Sequence, residues 1–151
     1  MAVKLAPPRL PLLERLGRHG HGRALDVAGL RDSVGSELLR ILNTRSSPCS
    51  GPSRGPELSI VDYGVPDWSG SYAADLEDRT RLARNLERAV RAFEPRLREP
   101  RVEVDLHPEG MRQLLVRLSG TLWVSGAADA VSYGLGLDGN GAALIGMATK
   151  A

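Results

Sequence analysis

A single cysteine, Cys49, leaves the chain without an internal disulfide to form, which fits a reducing compartment. Aromatic residues make up only 4% of the sequence, too few to furnish the stacking platforms of a single-strand-binding surface. No run approaches the roughly 20 apolar residues of a membrane span. The N-terminus also lacks the basic, apolar and small-residue order of a secretory signal. These absences together imply a soluble, intracellular protein. Lysine is nearly absent as well: every basic residue except Lys4 and Lys150 is arginine, and the net charge is only +2. That balance is too small for a strong nucleic-acid footprint, although the planar guanidinium suits bidentate pairing at interfaces. At 151 residues the chain can bury one core without disulfides or metal.

Within those limits, the chain divides by periodicity. Residues 1–25 hold Pro7, Pro8 and Pro11 among leucines, then a glycine-rich break carrying His19 and His21, and read as a flexible or assembly-ordered segment. Two histidines two apart with no cysteine or carboxylate cluster are a poor metal signal. Leu30, Val34, Leu38, Ile41 and Leu42 then repeat at helical spacing, predicting a helix over 32–43 with Asp32 or Ser33 as cap and Asn43 closing its end. Gly35 either weakens that helix or marks a close neighbour. Residues 46–56 read as a surface loop, and Cys49, with no histidine near it, is a poor nucleophile there. Beyond it, Tyr63, Val65 and Trp68 are placed to pin a turn-rich segment over the core.

A second helix is predicted over 75–93. Leu82, Leu86, Ala89, Val90 and Phe93 form its stripe, and Asp75, Glu77 and Asp78 suit its positive end. Arg81, Arg84, Arg88 and Arg91 line the opposite face, partly paired with Glu87 and available as a phosphate-binding surface on a sharper reading. After Pro100 the period changes from 3.6 to 2. Val102, Val104 and Leu106 form one strand, and Leu114, Val116 and Leu118 a second that extends past a kink at Gly120 to Leu122 and Val124. Val131, Tyr133, Leu135 and Leu137 form a third, followed by a glycine-rich tail from 143 onward. Helices followed by strands give an α+β fold: an antiparallel sheet of three to four strands with two main helices packed on one face. If the third strand or its neighbour lies at an edge, its unpaired backbone is open to strand addition.

Between the second helix and the first strand stands Phe93-Glu94-Pro95-Arg96-Leu97. Proline ends the helix and keeps Glu94 out of the α region. The corner then presents an acid and a base that either brace the junction or offer a bidentate fork to a partner.

Several segments together resemble one family. Leu12 to Leu16, Leu39 to Arg45 with its Asn43-Thr44-Arg45 triplet, Ser59 to Ser69 with Tyr63-Gly64-Val65-Pro66-Asp67, and Glu94-Pro95-Arg96 follow in order. The chain is similar to TssE, the baseplate subunit of type VI secretion systems, and to the lysozyme-like wedge proteins of contractile phage baseplates. That resemblance implies a single baseplate domain over 26–142, partners among the wedge proteins TssF and TssG with TssK beside them, and contact with the sheath proteins TssB and TssC by strand pairing. It also implies assembly at the cytoplasmic face of the inner membrane. Carried over by position, Glu94, Pro95, Arg96 and Leu97, with Tyr63, Gly64, Pro66 and Asp67, are the partner-binding residues, and Arg96→Ala is expected to spare the fold while abolishing recruitment. Val65, Trp68, the proline-rich loop after Arg45 and the glycine-rich tail depart from the family pattern.

Three other functions compete with this one. A lysozyme-like peptidoglycan hydrolase needs two carboxylates at a fixed separation with one kept protonated. Glu94 is a single candidate, and an adjacent guanidinium favours the charged form. A protein-binding regulator of the anti-adaptor type has a related fold, and nucleic-acid binding through the arginine face is the third. The residues point to no cofactor and no metal.

Overall fold

A computed structural model describes residues 26–46, 58–68, 75–108, 113–124 and 126–149. The expectations for residues 1–25, for His19 and His21, and for Cys49 fall outside the described residues. The described elements are helix α1 (Val27–Asn43), a short 3-10 turn (Ile60–Asp62), helix α2 (Leu76–Phe93) and strands β1 (Arg98–Leu106), β2 (Leu114–Val124), β3 (Ala127–Asp138) and β4 (Gly141–Thr149). The strands form one antiparallel sheet in the order β1-β2-β3-β4. Every connection joins neighbours, so the sheet is a meander.

Period-2 patterning decides which face of the sheet is covered. Val116, Leu118, Leu122, Val131, Tyr133, Leu135 and Leu137 point to one side and are buried, together with Leu30, Val34, Leu38, Ile41 and Leu42 of α1 and Leu82, Leu86, Ala89 and Val90 of α2. Both helices therefore cover the same face, as the sequence predicts. Val65 and Trp68 join this core, which pins the segment between the helices as expected.

Several boundaries differ from the sequence reading. Helix α1 begins a turn and a half before position 32, because Asp26 is its cap: its Oδ1 accepts from the Gly29 N–H at 2.7 Å. Val27 and Ala28 ahead of Leu30 are exposed and add nothing to the stripe that marks the helix. Ser33, a candidate cap, is instead buried in the helix interior. Asn43 is the last helical residue, but the cap position is Thr44, whose N–H bonds Ile41 C=O. Strand β1 starts at Arg98 and runs through Pro100. Its ladder is irregular between Arg98 and Arg101, and Glu99 takes φ 50° there. An edge strand tolerates a proline that a central one would not.

Gly120 does not break β2, which stays in register with β3 from Leu114 to Val124. A Cβ at this position would come within 2.8 Å of the Leu97 side chain and 2.9 Å of the Arg98 carbonyl. The glycine thus admits Leu97 to the core at the point where α2 turns into β1. At Gly35 a Cβ would stand 3.3 Å from the Tyr133 ring, so this glycine marks the close approach of α1 to β3.

The largest correction concerns the C-terminal segment. Residues expected as a small-residue tail form β4, paired with β3. Asp138 turns the chain with its Oδ1 accepting from Asn140 N at 2.7 Å and Gly141 N at 3.1 Å, a carboxylate-stabilised turn. The third strand is therefore internal, and among the described residues the sheet edges are β1 and β4.

Candidate functional site

The corner after α2 is built inward. Glu94 follows the last helical residue, and its N–H still bonds Val90 C=O at 2.8 Å. Pro95 is exposed, Leu97 is buried, and the Leu97 N–H returns to the Glu94 carbonyl at 3.2 Å. This tight turn brings Arg96 back over the acid. Arg96 Nε donates to Glu94 Oε1 at 2.8 Å, one terminal nitrogen donates to Oε2 at 2.5 Å, and the Arg96 backbone N–H also reaches Oε1 at 3.1 Å. The other terminal nitrogen donates to Ser33 Oγ on α1 at 2.9 Å. The Glu94 side chain is 1% exposed and that of Arg96 16%.

Such a pair links α2, β1 and α1 in one fork. The bidentate geometry and the added Arg96 backbone N–H satisfy the buried carboxylate. The sequence leaves open whether this pair faces inward or outward; Glu94 lies inside. Its burial against a guanidinium is also unsuited to a general acid that has to reach a glycosidic oxygen.

The segment 58–68 supplies the other predicted site residues. Ser59 donates through its backbone N–H and its hydroxyl to Asp62 Oδ2, fixing the 3-10 turn. Tyr63 then packs against Phe93 with the rings tilted at 59° and their centroids 5.1 Å apart, and its hydroxyl donates to Glu37 Oε1 at 2.7 Å. Partial burial and that acceptor push the phenol pKa up. Tyr63 is thereby brought to the corner through Phe93.

Gly64, Pro66 and Asp67 gather at the end of α1 instead. Gly64 has φ 106°, and a Cβ there would overlap the Thr44 carbonyl, so only glycine fits. Past it, Val65 N–H bonds Thr44 C=O and Ser46 N–H bonds Val65 C=O, both at 2.9 Å, in a parallel bridge between Arg45 and Val65. Pro66 and Asp67 are exposed. Arg45 stands 3.6 Å from Asp67 and lies 3.6 Å over the Trp68 ring. The Asn-Thr-Arg and Tyr-Gly-Val-Pro-Asp segments therefore form one built junction, separate from the Glu94–Arg96 fork.

Two features of the surface went unread in the sequence. One is β4, which at the sheet edge exposes Leu144, Ile145 and Met147 and has no charged residue between Gly141 and Thr149. The other is Asn43, which bonds the backbone of that strand: Nδ2 donates to Ala142 C=O at 3.0 Å and Oδ1 accepts from Ala142 N–H at 2.8 Å. Gly-Asn-Gly in the turn and the alternation Ala142, Leu144 were the available signals. The short side chains and glycines of that stretch gave no stripe to read.

The arginine face of α2 is partly neutralised in place. Arg81 pairs with Asp78 and Arg91 with Glu87, both along the helix. Among the described residues, no helix is long and apolar enough to cross a membrane.

Two helices on one face of a four-stranded meander, joined to it by a buried fork at the helix-to-sheet corner, define a small α+β domain. The family model for baseplate wedge protein gp25 matches residues 28–127. The chain belongs to that family, which supports a structural role in a baseplate over an enzymatic one. The match runs from the first turn of α1 through β2 and includes both predicted site segments; Leu12 to Leu16, the first segment of the resemblance, lies outside it. No curated protein matches the chain.

Proposed function

We propose that this protein is a structural baseplate subunit of a type VI secretion machine, held among the wedge proteins TssF and TssG, with TssK nearby, and helping to start the contractile sheath of TssB and TssC. The observation that carries this reading is the contrast between the two sheet edges. Strand β1 alternates Arg101, Glu103 and Asp105 on its outward face, the charged pattern that keeps an edge from pairing. Strand β4 has none of these guards. An edge so composed favours main-chain pairing with an incoming strand.

The corner supports the wedge contact differently from the way its residue types first suggest. Glu94 and Arg96 use their charges on each other, so the surface available to a wedge protein is the exposed Pro95 ring and the outer edge of the Arg96 guanidinium. Pro66 and Asp67 offer a second exposed contact near Arg45. A rigid corner presents such a surface at low entropic cost. Assembly takes place at the cytoplasmic face of the inner membrane in this reading.

Co-purification of the full chain with TssF and TssG, and separately with TssB and TssC, tests it. Pro95→Glu is expected to weaken the wedge association while leaving sheath association intact. Loss of neither, in a folded variant, removes the corner from the wedge interface.

A further inference from the structure

The contact between Asn43 and Ala142 joins the end of α1 to the start of the open edge. A primary amide carries a donor and an acceptor side by side. In an antiparallel ladder, one residue of a neighbouring strand offers the same two groups to one residue opposite. Asn43 Nδ2 and Oδ1 meet the C=O and N–H of the same residue, Ala142, at 3.0 and 2.8 Å. Ala142 stands opposite Leu137, yet both of its backbone polar groups are taken by Asn43. They therefore point away from β3, toward the outer edge of β4. The side chain stands where a fifth strand would place its first residue.

We propose that Asn43 sets the register of strand addition at β4, by filling the first rung of that edge and leaving Leu144 as the first residue whose backbone an incoming strand can reach. This rests on the strand-pairing reading given above. The partner is an extended segment without charge on its paired residues, since Gly141–Thr149 offers no charge to match. It carries an apolar side chain to cover Leu144, which stands opposite Leu135 on the helix side of the sheet and is still 43% exposed.

Two further observations support the stop. Gly141 takes φ 143°, and a Cβ there would overlap Asn43 Oδ1. The turn residue is thus one that admits the amide. The ladder between β3 and β4 shifts between Gly134 and Leu135, where Leu144 and Gly146 flank an extra Ile145. Such a bulge aims side chains and ends regular pairing, so the edge has an irregularity one step beyond the stop. A strand joining here has to match both, and a one-residue slip would put its side chains on the wrong face.

The test is amide hydrogen exchange on the full-length protein, alone and with the TssB–TssC pair as probe. In the wild type alone, the Ala142 amide is expected to be protected and the Leu144 amide to exchange freely. Addition of TssB–TssC is expected to slow Leu144 and leave Ala142 unchanged. In Asn43→Ala, Ala142 is expected to exchange roughly tenfold faster when alone, and to gain protection with the probe as the strand extends onto the vacated rung. Asn43→Ser vacates the same rung and serves if the alanine variant does not fold. Identical protected amides in wild type and variant complexes would overturn the register role while leaving strand addition standing. Absence of any protection at Leu144 would overturn strand addition itself, and the register role with it.

Discussion

Glu94 and Arg96, two residues apart across Pro95, close a bidentate ion pair whose carboxylate is 1% exposed. Because the acid is buried, removing its partner leaves a charge without compensation. Arg96→Ala is therefore expected to cost about 3–5 kcal/mol and to lower Tm by roughly 10 °C or more, in place of the silent effect on folding expected from the family resemblance. Replacing both together, as Glu94→Met with Arg96→Met, is expected to cost less than either single change. Thermal denaturation of Glu94→Met, Arg96→Met and the double variant, beside Arg96→Ala, checks the order. Recruitment assays on Arg96→Ala need that stability measured first.

Gly120 is predicted to resist any side chain. A Cβ there meets Leu97 at 2.8 Å and the Arg98 carbonyl at 2.9 Å, and the backbone atom cannot rotate away. Gly120→Val is expected to destabilise by about 1–3 kcal/mol through overpacking, read as a lower midpoint in urea with the slope unchanged.

Tyr133 gives a pH signature. Its ring is fully buried, and its hydroxyl donates to Arg31 C=O at 3.0 Å. Burial, with the nearby Glu94 charge, pushes the phenol pKa up, whereas an unfolded tyrosine ionises near 10. Above that pH the unfolded state loses its proton first. Stability is thus complete below about pH 10 and falls as pH rises, with a limiting slope near 1.4 kcal/mol per pH unit for this one group. Tyr133→Phe is expected to flatten the decline, measured as unfolding free energy at pH 9, 10 and 11. An unchanged slope contradicts the assignment.

Arg31 and Asp129 tie α1 to β3 with two bonds of 2.8 Å, both side chains about one-fifth exposed. Partial burial makes the pair stronger than a surface bridge. Asp129→Ala is expected to cost about 1–2 kcal/mol and to lower the midpoint in urea. A midpoint within error of the wild type sinks this estimate.

The sequence was most legible where one side-chain period runs for several residues. Leu82, Leu86 and Val90 announce α2, and Val131, Tyr133, Leu135 and Leu137 announce the inner face of β3. It was least legible where small residues carry the structure. Gly141-Ala142-Ala143 offers no alternation in size, so β4 is defined by its hairpin pairing with β3 and by the Asn43 amide, the latter 99 residues away in the sequence. The same limit hid the direction of Glu94: the Pro95 corner could be read, but its inward turn depends on Ser33, far away in the sequence. Tyr63 was legible as a packing residue through its spacing, while its bond to Glu37 was not.

Strand addition at β4 is the proposal to which a charge on that edge is most damaging. Leu144→Lys and Met147→Lys place charge on exposed positions of that edge, cost little stability, and raise a barrier to pairing. Co-purification of each folded variant with TssB and TssC, beside TssF and TssG, is the most direct measurement. The account predicts loss of the sheath proteins with the wedge proteins retained; sheath proteins recovered in wild-type amounts with both variants would contradict it.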